Sequence, residues 1–225
     1  MTDLDEKAFR GLLWLLATMA ALIFIPAGTL AYWQAWLFLT VYFTLSFAIT
    51  LYLMKFDREL LARRLRGGPG AEKEKTQKIV MALASAGFIA LIVVSALDRR
   101  FHWSSLPPFI ALAGDALVAL GFLVIFLVFR ENSFSAGTIE IAPDHEVIST
   151  GPYAHVRHPM YAGGLLMLCG IPLALGSWWG LLAMIPLLPV LLWRLFDEEK
   201  FLAINLPGYA EYKAKVRYRL LPFVW

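Results

Sequence analysis

The chain has 225 residues, 60% of them hydrophobic and 16% charged, with a formal net charge of +3. That balance excludes an ordinary water-soluble domain, and so small a net charge gives no footing for a nucleic-acid partner. The single cysteine, Cys169, excludes an intramolecular disulfide and makes a cysteine-based zinc site a poor fit, so no metal site is expected.

Residues 1–10 are short and mixed in charge. The apolar run behind them is too long for a signal peptide and has no clear small-residue cleavage site, so it reads as retained. Leu12 to Leu30 forms a first span, since about 20 apolar residues cover the roughly 30 Å of hydrocarbon. Pro26 and Gly28 mark its end. Tyr32, Trp33 and Trp36 suit the headgroup level, and a second span continues to about Met54.

Lys55 to Lys78 is the most charged stretch, with Lys55, Arg58, Arg63, Arg64, Arg66, Lys73, Lys75 and Lys78 interrupted by Gly67-Gly68-Pro69-Gly70. It reads as a loop that adheres to anionic lipid. The excess of positive charge assigns it to the cytoplasm, together with the N-terminus. Ile79 to Leu97 is a third span. Arg99 to Pro108 is an outer loop in which His102 and Trp103 fit the interface. Pro108 to Phe129 is a fourth span, with Asp115 near enough to its start to complement the helix dipole. Arg130 to Pro159 then returns to the cytoplasmic side, where Arg130, Glu131 and Glu140 are in reach of a pocket.

Tyr161 to Leu175 is apolar but too short to span comfortably, and it contains Gly163, Gly164, Gly170 and Pro172. Cys169 lies within it and reads as packing. Gly176-Ser177 is the turn into a partner helix, Trp178 to Phe196, broken by Pro186 and Pro189. Helices interrupted at membrane depth line cavities or pack on protein, so this hairpin is expected to wall a pocket. Asp197-Glu198-Glu199-Lys200, Pro207-Gly208-Tyr209 and a basic, tyrosine-bearing tail follow on the inside. No internal repeat is visible. The expected fold is an all-α polytopic membrane bundle of four long spans followed by a short kinked hairpin, five to six membrane helices in all. It forms a single domain over 1–225, with a four-span part (1–129) and a site-bearing part (130–225).

The polar residues concentrate in one run, Gly151-Pro152-Tyr153-Ala154-His155-Val156-Arg157-His158-Pro159-Met160-Tyr161-Ala162-Gly163-Gly164. Pro159 suits the first position of a helix, so Arg157 and His158 fall at a helix N-terminus. Free backbone N–H groups and the positive end of the dipole favour an anion there. A hairpin returns the chain to the side it left, which allows the 158 and 199 regions to meet. By spacing alone the first motif fits equally a snorkelling basic anchor, and Glu198-Glu199 a solvated acidic step.

The pattern Gly-Pro-Tyr, three residues, Arg-His-Pro, one residue, Tyr, one residue, Gly resembles that of the isoprenylcysteine carboxyl methyltransferase group of integral membrane methyltransferases. It is matched from Gly151 to Gly163 without a gap. The resemblance extends over roughly 137–223 and takes in the hairpin, the acidic pair, and Gly208, Tyr209, Tyr212, Arg217, Arg219 and Pro222. It implies S-adenosylmethionine as cofactor. Tyr153, Arg157, His158, Pro159, Met160 and Tyr161 would contact it, with the segment around His145, Val147 and Ile148, and Glu199 would close the pocket. It also implies Arg194 facing the methyl acceptor and a reactive-centre role for Glu198 and His158. The acidic run departs from an all-glutamate pattern, which leaves Glu198 and Glu199 exchangeable.

The chemistry is compatible. S-adenosylmethionine presents a carboxylate, an ammonium, a ribose, an adenine and a sulfonium, and these residues offer cationic, anionic and aromatic partners. The implied acceptor is hydrophobic or membrane-embedded: a prenylated cysteine carboxylate, a thiol or a lipid. A carboxylate needs no base, whereas a thiol or amine would call on His158 or His155. Two other classes remain open, an NADPH-dependent enzyme similar to membrane sterol reductases, which have a comparable Arg-His segment, and a non-catalytic membrane scaffold.

Overall fold

The computed structural model describes residues 2–225 except 73, 140, 142 and 143, so the expectations attached to Lys73 and Glu140 lie outside the described residues. Helix α1 (Asp3–Ala27) begins well before the predicted span. A reciprocal cap starts it: Thr2 N–H donates to the Asp5 carboxylate at 2.8 Å, and Asp5 N–H donates to the Thr2 hydroxyl at 3.4 Å. The acids Asp3, Asp5 and Glu6 suit its positive end. Gly28, at φ 67°, takes the left-handed conformation that stops it.

Helix α2 (Trp33–Phe56) is followed after one residue by α3 (Arg58–Leu65). The stretch expected to be a loop therefore contains a short helix. Asp57 caps it by accepting from Leu60 N–H at 2.9 Å, Leu60 and Leu61 are buried, and Arg63 and Arg64 occupy its last turn, where the dipole favours cations. Helices α4 (Lys75–Phe101) and α5 (Pro108–Glu131) overrun the predicted spans by two to four residues at three of their four ends. Helix α6 (Pro159–Ala174) starts at the predicted proline. Helices α7 (Trp179–Leu182) and α8 (Met184–Asn205) continue one another, and α9 (Tyr209–Lys215) lies in the tail. No strand occurs among the described residues.

Among the described residues, five helical segments, α1, α2, α4, α5 and α7–α8 together, are long and apolar enough to cross a bilayer, and α6 is shorter. The hairpin is thus asymmetric. Its second arm runs past Phe196 and carries the acidic step inside the helix, so Arg194, Glu198 and Glu199 share one helical frame. Side chains such as Leu13, Trp14, Ile25, Phe109 and Ile185 point outward, as a lipid solvent permits. The chain is an integral, multi-pass membrane protein.

Helices α5 and α6 pack backbone to backbone. A methyl group on Gly114 would stand 2.1 Å from the Ala174 nitrogen, and one on Gly121 would stand 2.6 Å from the Gly163 carbonyl oxygen. Close approach of this kind replaces the hydrophobic effect that lipid cannot supply. The core of Met19, Ile23, Phe38, Leu91, Val118, Ile171 and Leu175 fills the centre. At the end away from the 151–164 motif, buried Asp98 accepts from Ser104 N–H and Oγ–H at 2.6 Å each and from Ser177 Oγ–H at 2.5 Å, which ties the hairpin turn to α4. Asp115 is buried on α5, and neither carboxyl oxygen has a hydrogen-bond partner among the described residues.

Candidate active site

The motif folds as a 3₁₀ turn (Gly151–Ala154) leading into α6. Gly151 opens it at φ 55°, where a methyl group would meet the Glu131 side chain at 2.9 Å. The C-terminal tail lies along the motif. Arg157 N–H donates to the Tyr218 carbonyl and His158 N–H to the Arg219 carbonyl, both at 2.9 Å. Two backbone donors just ahead of the helix are therefore satisfied within the chain.

Glu199 is the centre of this junction and is 3% exposed. Its Oε1 is 2.8 Å from Arg157 Nε and 3.2 Å from His158 Nε2, and its Oε2 is 3.3 Å from Arg219 Nε and 3.7 Å from Lys213 Nζ. The Arg157 contact is an ion pair whose N–H is not aimed along a hydrogen bond, whereas Arg219 Nε–H donates to Glu199 Oε2. An ionised carboxylate only accepts, so His158 carries its proton on Nε2. One carboxylate thus joins α8, the start of α6 and the tail.

Beside this junction is a cavity of about 280 Å³. It lies at the lower edge of the roughly 300–1,000 Å³ usual for small-molecule sites. Tyr153, Arg157, His158, Pro159, Met160 and Tyr161 line it from the motif, and His145, Val147 and Ile148 from the preceding segment. Arg194 and Glu198 line it from α8. Glu199 is not on its wall, so of the acidic pair it is Glu198 that faces the cavity, where its carboxylate accepts from Tyr161 O–H at 2.6 Å. His155 is exposed and also off the wall. The floor between α6 and α8 is apolar, made by Gly164, Leu165, Leu168 and Leu191.

Several wall residues carry no motif. Arg64 of α3 lines the cavity, lies over the Phe129 ring at 5.1 Å and donates from Nη1 to the Ala136 carbonyl at 3.0 Å. Arg194 donates to Glu72 at 2.7 Å, to Gln77 at 3.0 Å and to the Gly137 carbonyl at 3.3 Å, while Gln77 donates on to Asp197 at 2.8 Å. Glu72 also accepts from Ile139 N–H at 3.4 Å. Asn132 donates to the Tyr153 hydroxyl at 2.9 Å. These bonds draw residues 132–139 over the cavity as a roof. A short amphipathic period, Asp57 then Leu60-Leu61 then Arg64, is the one local sign of α3; nothing local marks Glu72 or Gln77.

Burial pushes the Tyr153 phenol up to about 12, with Glu198 raising it further and the Asn132 bond and Arg64 opposing. Burial likewise raises the phenols of Tyr209 and Tyr212, so all three rings are neutral hydrogen-bonding groups at neutral pH. Burial, aided by Arg63, lowers His145, which stacks on Phe134 at 4.6 Å and stays uncharged. Among the described residues no cluster of His, Cys, Asp or Glu is arranged to hold a metal.

The polar run at the head of α6, closed by an acidic step from α8 over an apolar floor, has a counterpart among known families. Residues 109–206 match the phospholipid methyltransferase family. This phospholipid methyltransferase match covers all but the first residue of α5, the motif, α6 and all of α7–α8, and of the residues that line the cavity it leaves out Arg64 of α3 and Tyr209 and Tyr212 of α9. It is a family of membrane methyltransferases, to which the isoprenylcysteine carboxyl methyltransferase-like proteins also belong. No curated protein matches the chain.

Proposed function

We propose that the protein is an S-adenosylmethionine-dependent methyltransferase acting on a hydrophobic or membrane-embedded acceptor. One observation carries this reading: the Arg-His-Pro motif, Arg194 and Glu198 share a cavity whose polar rim gives way to an apolar floor between α6 and α8. The donor set fits the cofactor, since neutral tyrosines, a carboxylate and guanidinium groups converge on a space suited to a zwitterion joined to an aromatic base.

S-adenosylmethionine, when bound, supplies a methyl group activated by its sulfonium. The protein's work is to align donor and acceptor in line and to exclude water. Tyr153, Met160 and Tyr161 shape the donor space. Residues 132–139 and 145–148 cover it, and Leu165, Leu168 and Leu191 receive the apolar part of the acceptor. A carboxylate acceptor needs no proton removed. For a thiol or amine, His158 would act through Nδ1, because Glu199 holds Nε2–H.

Calorimetric titration of detergent-purified protein with S-adenosylhomocysteine and, in parallel, NADPH tests the reading. Micromolar binding of the former alone is expected. Binding of NADPH alone would move the protein to the reductase class, and binding of neither would leave a scaffold.

A further inference from the structure

Three arginines line the cavity, and they differ in what neutralises them. Arg157 is 2.8 Å from Glu199, and Arg194 is 2.7 Å from Glu72. Arg64 has no carboxylate within ion-pair distance among the described residues; its one hydrogen bond goes to a backbone carbonyl and its ring contact is to Phe129. A half-buried guanidinium without a counter-ion, next to a second guanidinium, favours an incoming anion.

The carboxylates of the cavity show a matching asymmetry. Glu146 is exposed, whereas Glu198 is half-buried and takes only the Tyr161 hydroxyl, with no cation in ion-pair range among the described residues. Arg64, Glu198 and Tyr153 line the same cavity, and both charges act on the Tyr153 phenol. A single uncompensated cation would suit any oxyanion. A cation and a carboxylate, each without a counter-ion among the described residues, on the wall of one cavity suit a zwitterion.

We propose that Arg64 and Glu198 hold the amino-acid end of the methyl donor, Arg64 taking its carboxylate and Glu198 its ammonium. The assignment rests on the methyltransferase reading and deepens it. It places the carboxylate away from Arg157 and His158 at the anion-favouring start of α6, because those two residues are engaged with Glu199 and with the tail. Arg64 lies outside the residues that match the family, so this subsite is completed by the N-terminal half of the chain.

Paired ligands test it: S-adenosylhomocysteine, which has the amino-acid end, and 5′-methylthioadenosine, which lacks it. Arg64→Gln and Glu198→Gln should each weaken the first by about tenfold or more, as expected for a lost charge-assisted bond, and leave the second within about twofold. Arg64→Lys, which keeps the charge but not the fork, should fall between. Equal losses for both ligands would make the residues structural supports and overturn the proposal. Unchanged S-adenosylhomocysteine affinity in Arg64→Gln would also overturn it, and would free Arg64 for an anion on the acceptor. If the unsubstituted protein binds neither ligand, it is the methyltransferase reading that falls.

Discussion

Glu199 shows how one side chain can set the site without touching the ligand space. It is buried and holds Arg157, His158 and Arg219 at 2.8–3.3 Å, so removing it leaves the buried Arg157 guanidinium without a counter-ion and facing the half-buried Arg219. Breaking a buried ion pair from one side costs about 3–5 kcal/mol. Glu199→Ala should therefore lower the thermal unfolding midpoint and release the tail from the motif, with protease cleavage near 216–220 reporting the release. Glu198→Gln, which removes a charge from the cavity wall, should leave both readouts near those of the unsubstituted protein. The two adjacent acids are indistinguishable in the sequence because the difference lies in helical phase. Once α8 runs unbroken through both, a step of about 100° per residue turns Glu198 to the cavity and Glu199 to the tail.

At the scale of elements, the bundle depends on how closely α5 and α6 approach. The space beyond Gly114 is filled by backbone of Leu173 and Ala174, which cannot rotate away, so even Gly114→Ala must push the helices apart. Overpacking of this type costs about 1–3 kcal/mol. Gly164, four residues into the same helix as Met160, borders the cavity, and a methyl group added there would meet nothing within 4 Å. Gly114→Ala should lower the unfolding midpoint in detergent while Gly164→Ala should not; equal effects would show that the close packing is not what holds the hairpin. The glycines of α6 read in sequence as kinks, because a packing partner is invisible until α5 is known to lie alongside. Helix α3 is hidden in the sequence for a related reason. Its charges resemble a lipid-adhering loop, and only burial of Leu60 and Leu61 shows that one face is turned inward.

For the whole molecule, apolar length made the spans legible, and the Arg-His-Pro block pointed to the segment that lines the candidate cavity. Arg64, Glu72 and Gln77 were not legible, because their roles come from segments distant in sequence that meet only after the bundle has closed. The same closure gathers charge at one end. Contacts of Arg58 with Asp5, Arg63 with Ser133, Arg194 with Glu72 and Arg219 with Glu199 bring the start of α1, α3, the roof, the end of α8 and the tail together. Arg99 and Arg100 are the exceptions among the described Lys and Arg residues, and they lie at the opposite end with half-exposed Trp33, Trp36, Trp103, Trp178 and Trp179. By the positive-inside rule, a basic end facing an aromatic opposite rim predicts that the basic end lies in the cytoplasm, the side on which the proposed methyl donor would be supplied. In a Cys169→Ala background, Gly70→Cys and Ser105→Cys place one thiol at each end. Gly70 has open space around a side chain, and Ser105 is exposed. A membrane-impermeant maleimide should label Ser105→Cys in intact cells and Gly70→Cys only after the membrane is opened. The reverse pattern would put the cavity on the outer face, and an external methyl donor would then have to be sought.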